Sequence, residues 1–126
     1  MFKVLVIDDE EGVRIPLASF LEMEGYQAWA AENGFDAFEQ IKANRPDFII
    51  SDVRMPIWDG FRLQESLNTL TPPIPILYIS GFLGDGMESL KQGKGFVGII
   101  AKPFKVDELL QIVKRFAEAC HSPRTL

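Results

Sequence analysis

Five polar residues in this chain of 126 residues stand where chemistry could be done. Asp8 and Asp9 follow the apolar run KVLVI, Asp52 ends DFIISD, Ser80 ends ILYIS, and Lys102 comes directly after FVGIIA. Carboxylates, a hydroxyl and an ammonium together suit phosphoryl transfer. A carboxylate can attack phosphorus while cationic groups neutralise the phosphoryl oxygens. Carboxylates crowded in one place raise one another's pKa unless a cation sits among them. The side chains on offer supply oxygen alone, with no Cys or His nearby, and that favours a hard cation. A half-open site that keeps some of its water suits Mg²⁺.

These residues meet only if the chain's elements bring them together. Apolar runs alternate with helical patterns at short spacing, which is the mark of βα units around a parallel sheet. Strands are expected at residues 3–7, 27–30, 47–52, 76–80 and 96–101. The first helix is expected over residues 11–24, with Val13, Leu17, Phe20 and Leu21 on one face and Gly25 as its stop. Pro16 inside it predicts a kink or a first turn that begins late. Asn33 reads as the N-cap of a helix running to about residue 44. Further helices are expected at 61–68, weakly at 84–92 among glycines, and at 105–120. This is one doubly wound (βα)5 unit, a domain over residues 1–120 with a polar tail at 121–126. In such a sheet, ligands bind beyond the carboxyl ends of the strands where the strand order reverses. With the order 2-1-3-4-5, the first and third strands are neighbours, so Asp8, Asp9 and Asp52 converge.

Composition bounds the rest. The chain is 47% hydrophobic and 25% charged, enough for one core and too ordered in pattern for a disordered segment. A net charge of −5 without any basic run leaves no electrostatic footprint for direct nucleic-acid binding. No apolar run approaches the length of a membrane span, and no secretory signal is read at Met1, where acidic residues follow the first strand. The single Cys120 forbids an internal disulfide and suits a reducing cytoplasm.

Taken one at a time, each site residue has a plainer reading. A strand-terminal Asp commonly caps a turn, Ser80 could be a turn residue, and Lys102 a solvated surface lysine. Glu10 and Glu11 read as helix-start acids favoured by the dipole. Trp58 reads as an apolar cover on a turn, and His121 as a tail residue. Together and in order, however, the motifs are specific. The chain resembles a receiver domain of the response regulators of two-component signalling. The likeness rests on Asp8-Asp9, on Asp52 within SDVRMP with Asp59-Gly60 downstream, on Ser80, and on Lys102-Pro103-Phe104. That resemblance implies a flavodoxin-like three-layer sandwich and makes Asp52 the phosphoacceptor. It makes Asp9 and Asp52 direct Mg²⁺ ligands, with Asp8 acting through water and the main-chain carbonyl of Arg54 completing the set. Ser80 and Lys102 would contact the phosphoryl group. A sensor histidine kinase or histidine phosphotransfer protein would be the donor. The output would pass through protein contacts or through a missing output domain of a longer protein.

Two other readings compete. A pseudo-receiver would use the fold as an interaction module without phosphorylation, but all five polar residues are present. A flavin-binding protein or an aspartate-nucleophile phosphatase fits worse. The first would need a phosphate loop where Asp8-Asp9-Glu10-Glu11 stand, and the second an acid where Arg54 stands.

The resemblance also implies a cis Lys102–Pro103 bond, and the chain departs from the family in two places. Phe82, two residues past Ser80, should obstruct the water that hydrolyses a phosphoryl group. Ile99 stands three residues before Lys102, where the family usually carries an aromatic ring that moves inward on activation. Ile is stiff at χ1 and has no ring to move. The expected readout of phosphorylation is therefore reordering of residues 81–95, whose glycines lower helix propensity.

Overall fold

The computed structural model describes residues 1–121 apart from 82, 83 and 85, with the backbone alone at His121. Five strands form one parallel sheet: β1 (Lys3–Ile7), β2 (Gln27–Ala31), β3 (Phe48–Asp52), β4 (Ile76–Ser80) and β5 (Phe96–Ala101). Their order is β2-β1-β3-β4-β5, as expected. Both faces are covered, so the central strands are apolar at nearly every position rather than alternating. Leu5, Ile7, Ile49, Ile76 and Tyr78 face one core, and Val4, Val6, Phe48, Ile50, Leu77 and Ile79 face the other.

Helices α1 (Glu11–Met23) and α5 (Val106–His121) cover the second core through Leu17, Leu21, Leu109 and Val113. Helices α2 (Gly34–Ala43), α3 (Gly60–Leu67) and α4 (Glu88–Lys91) cover the first through Ala37, Ile41, Leu63, Leu67 and Leu90. Asn33 caps α2 as the sequence predicts, its Oδ1 accepting the Asp36 amide at 2.8 Å. Asp59 does the same for α3, accepting the Arg62 amide at 3.0 Å. Each side chain satisfies a backbone donor that the first turn leaves orphaned.

Most boundaries fall within one residue of expectation, and three differences have a physical reason. The first turn of α1 does not begin late. The amides of Val13 and Arg14 already bond the Glu10 carbonyl, and the helix continues through Pro16. Strand β3 starts at Phe48 because Asp47 is used as a clamp, its carboxylate accepting the Lys3 amide at 2.8 Å. Helix α4 shrinks to four residues from the nine expected over 84–92. Gly86 and Gly95 take left-handed φ values of +94° and +83°, which bracket the helical turn. At Gly95 a side chain is also excluded, since a Cβ would stand 2.1 Å from the Ile74 carbonyl oxygen. The expectations at Phe82, at the His121 side chain and over residues 122–126 lie outside the described residues.

Candidate functional site

Register places the acids. Strand β1 pairs with β3 so that Ile7 stands opposite Ser51, which sets Asp8 beside Asp52 where both strands end. On the other side β4 pairs with β5 through Ser80 and Ala101, and the Lys102 amide donates to the Ser80 carbonyl at 2.7 Å. Parallel strands thus deliver their C-terminal residues to one edge. A pocket of about 310 Å³ opens there, lined by Asp9, Glu10, Asp52, Arg54, Gly81 and Lys102. Ser80 is fully buried at the end of β4. The Lys102–Pro103 peptide bond is cis, as is Thr71–Pro72, which the sequence reading did not anticipate.

The Asp52 carboxylate is held at both oxygens. Its Oδ1 accepts from the Val53 amide at 2.7 Å, and its Oδ2 accepts from Lys102 Nζ at 3.0 Å. The Gly60 amide reaches back to the Val53 carbonyl at 2.8 Å, which folds the loop after Asp52 tightly onto β3. A Cβ on Gly60 would stand 3.0 Å from Val53 Cα, so Asp59-Gly60 serves as cap and close approach together. Trp58, read from sequence as an apolar cover on its turn, packs against the start of α2 and the side of α3. Its carbonyl accepts the Gly34 amide at 2.9 Å, its ring meets Phe35 edge-on, and the Arg62 guanidinium lies 4.6 Å from the ring centroid.

Lys102 is the electrostatic centre. Its Nζ lies 3.0 Å from Asp8 Oδ2, from Glu10 Oε1 and from Asp52 Oδ2. Burial opposes the charge on Lys102, yet the carboxylates of Asp52, Asp8 and Glu10 beside it outweigh that and raise the ammonium pKa above its ordinary value. Asp8 is fully buried, and burial raises its carboxyl pKa against the opposing pull of the Glu10 amide and Lys102. Its Oδ1 accepts that amide at 2.9 Å, while Oδ2 has ion-pair distance to Lys102 but no hydrogen bond. Carboxylate oxygens of Asp8, Glu10 and Asp52 all lie within 4.8 Å of one another. An all-oxygen donor set around a buried, incompletely bonded carboxylate fits a hard cation such as Mg²⁺.

Of the residues expected from sequence, Asp8, Asp52 and Lys102 are in direct contact, while Asp9 and Arg54 line the pocket with exposed side chains. The participant that sequence reasoning missed is Glu10, read there as a helix-start acid. Its signal was available: it is the third consecutive acid in the turn leaving β1. Away from the pocket, Ile99 is half-buried in β5, with Gly98, Phe96 and Met87 lining a cavity of about 410 Å³ beside α4.

Comparison with known proteins agrees with this fold. The response regulator receiver domain family matches residues 4–114. The sporulation initiation phosphotransferase F of Bacillus subtilis is 30% identical over 114 residues, covering 90% of this chain and 92% of that protein. The response regulator MprA of a Mycobacterium species is 34% identical over 110 residues, but the chain spans only 47% of its length. Among solved structures, the receiver domain of the Francisella response regulator 1452 superposes with a TM-score of 0.84 at 29% identity, covering 95% of this chain and 99% of that one. The chemotaxis response regulator CheY4 of Vibrio cholerae gives 0.79 at 32% identity, covering 92% and 98%. The family model spans most of the sequence and the solved receiver domains superpose on its five-stranded parallel sheet, so the chain belongs to the response regulator receiver domain family.

Proposed function

We propose that this domain accepts a phosphoryl group on Asp52 from the phosphohistidine of a partner kinase or phosphotransfer protein, and that the acyl phosphate alters its contacts with other proteins. The observation that carries the reading is the bridge from Lys102 Nζ to Asp52 Oδ2 and Asp8 Oδ2 at the sheet edge. In the reaction an Asp52 oxygen attacks phosphorus, the O–P bond forms, the P–N bond to the imidazole breaks, and its electron pair leaves with the nitrogen. The Val53 amide orients the nucleophile through Oδ1. Lys102 and Ser80 would stabilise the phosphoryl oxygens. Asp9, Asp52 and the Arg54 carbonyl would hold Mg²⁺ directly, with Asp8 acting through water; the ion supplies charge neutralisation when bound. The domain would catalyse its own phosphorylation and dephosphorylation and no metabolic reaction. No observation favours the alternative of a receiver fold working without phosphorylation. Among the described residues no helix is long and apolar enough to cross a membrane. We place the domain in the cytoplasm on the sequence grounds given above.

Incubation with a small phosphodonor and Mg²⁺ tests the reading. The expected product gains the mass of one phosphoryl group, stable in mild acid and labile in base, and the gain disappears when the metal is chelated. No gain under any condition, with the protein folded, would reject it.

A further inference from the structure

Glu10 is placed and bonded in a way that a helix-start acid does not require. It occupies the N-cap position of α1, where its carbonyl takes the first helical amides, yet its side chain makes no capping bond. The carboxylate turns instead to Lys102, at 3.0 Å from Nζ. A lysine ammonium has three N–H donors, and three carboxylates stand at equal distance from this one. These partners are unequal in burial: the side chains of Asp8, Asp52 and Glu10 are 0%, 7% and 62% exposed. The ammonium therefore fills the cationic role at the heart of the pocket, with Glu10 as its one solvent-facing partner.

A divalent cation held by Asp9 and Asp52, and by Asp8 through water, would repel the ammonium and draw the two buried carboxylates away from it. The independent sign that Asp8 is open to such a ligand is its Oδ2, which is buried, has no well-formed hydrogen bond and is held by the Lys102 ion pair alone. Only Glu10 then remains as a carboxylate partner for Lys102. We infer that Glu10 is a positioning residue: it holds Lys102 at the pocket mouth when a divalent cation draws Asp8 and Asp52 away. The ammonium stays facing the place an incoming phosphoryl group must occupy. This rests on the reading of the pocket as a Mg²⁺-assisted phosphoacceptor site, and it extends that reading to a residue outside the five polar positions.

The consequence is a coupling between Glu10 and Lys102 in cation affinity. Without the cation, losing Glu10 removes the weakest of three ion pairs, since exposed pairs contribute little. With the cation bound, it removes the only pair left, beside a like charge. Mg²⁺ is titrated into the metal-free full chain by calorimetry, for wild type, Glu10→Gln, Lys102→Met and the double variant, each checked for folding by circular dichroism. Glu10→Gln is expected to weaken Mg²⁺ binding about threefold or more beside Lys102 and to change it little in the Lys102→Met background, the non-additivity of interacting residues. Equal weakening in both backgrounds would mean that Glu10 acts as a ligand or through its field alone, and would overturn the inference. In isotope-labelled protein, the side-chain ammonium resonance of Lys102 at saturating Mg²⁺ should move in Glu10→Gln; an unchanged resonance would also overturn it. A wild type that binds no Mg²⁺, or binds it equally well as Asp52→Asn, would sink the underlying site reading along with the inference.

Discussion

Asp8 is the residue on which the metal-free site bears hardest. Burial raises its carboxyl pKa in the folded chain. The fold then binds that proton more tightly than the unfolded chain does, so this contribution to stability is present at low pH and is lost as pH rises through the folded value. At neutral pH the ionised carboxylate is a cost. Asp8→Asn should therefore raise the melting temperature in the presence of a chelator, and thermal scans at neutral pH check it. Added Mg²⁺ should stabilise the wild type by binding only the folded state and should stabilise the variant far less. A second residue carries backbone strain. Ile57, in the loop that follows Asp52, has φ +66° and is 76% exposed. A β-branched residue there is a conformational outlier, and little packing depends on its side chain. Ile57→Gly should stabilise the fold by about 1 kcal/mol, the left-handed penalty less the added freedom of the unfolded chain. Chemical denaturation measures this, and a destabilised variant would contradict the account. Residue identities were the most legible part of the site. The acids, Ser80 and Lys102 announced themselves by type and by position after apolar runs. Glu10 did not, because a glutamate at a helix start has an ordinary explanation and its reach to Lys102 spans 92 positions.

Strands were legible for a simple reason: a sheet covered on both faces writes itself as short continuous apolar runs, and the runs in this chain are clean. Helix α4 was not, because it is held by its surroundings more than by its own sequence. The Tyr78 hydroxyl, buried in β4, donates to Gln64 Oε1 on α3. The Gln64 amide donates in turn to Asn68 Oδ1 at 2.8 Å and to the Lys94 carbonyl at 3.1 Å. This network ties the connection after α4 to α3, and no periodicity in the sequence reveals it. Gly93 leaves the room it needs, since a Cβ there would stand 2.3 Å from Gln64 Cδ. Gly93→Ala should cost about 1–3 kcal/mol by displacing Gln64 and leaving the Tyr78 hydroxyl unpaired, as denaturant midpoints would register. Among the described residues the segment holds one four-residue helix, Glu88–Lys91, between Gly86 and Gly93. Hydrogen exchange in residues 81–95 should change when a phosphoryl mimic and Mg²⁺ are added. Unchanged protection there, with a response at another surface, would refute the proposed readout.

At the scale of the molecule, the fold gathers negative charge at one sheet edge and sets a single lysine against it. The sheet order could be anticipated as that of a doubly wound (βα)5 sheet, and once the first and third strands are neighbours their terminal acids must meet, as they do. The contact pattern of Lys102 could not, since it depends on how far the turn after β1 brings Glu10 back over the pocket. Both serve the proposed role of Asp52, which the Val53 amide orients and Lys102 contacts at the sheet edge. The most direct test of that requirement locates the phosphoryl group itself. After reaction with a small phosphodonor and Mg²⁺, borohydride reduction converts an aspartyl phosphate to the corresponding alcohol, which peptide mass spectrometry can place. The account predicts reduction at Asp52 alone, and none in Asp52→Asn. A reduced residue elsewhere, or labelling of Asp52→Asn at the wild-type level, would contradict it.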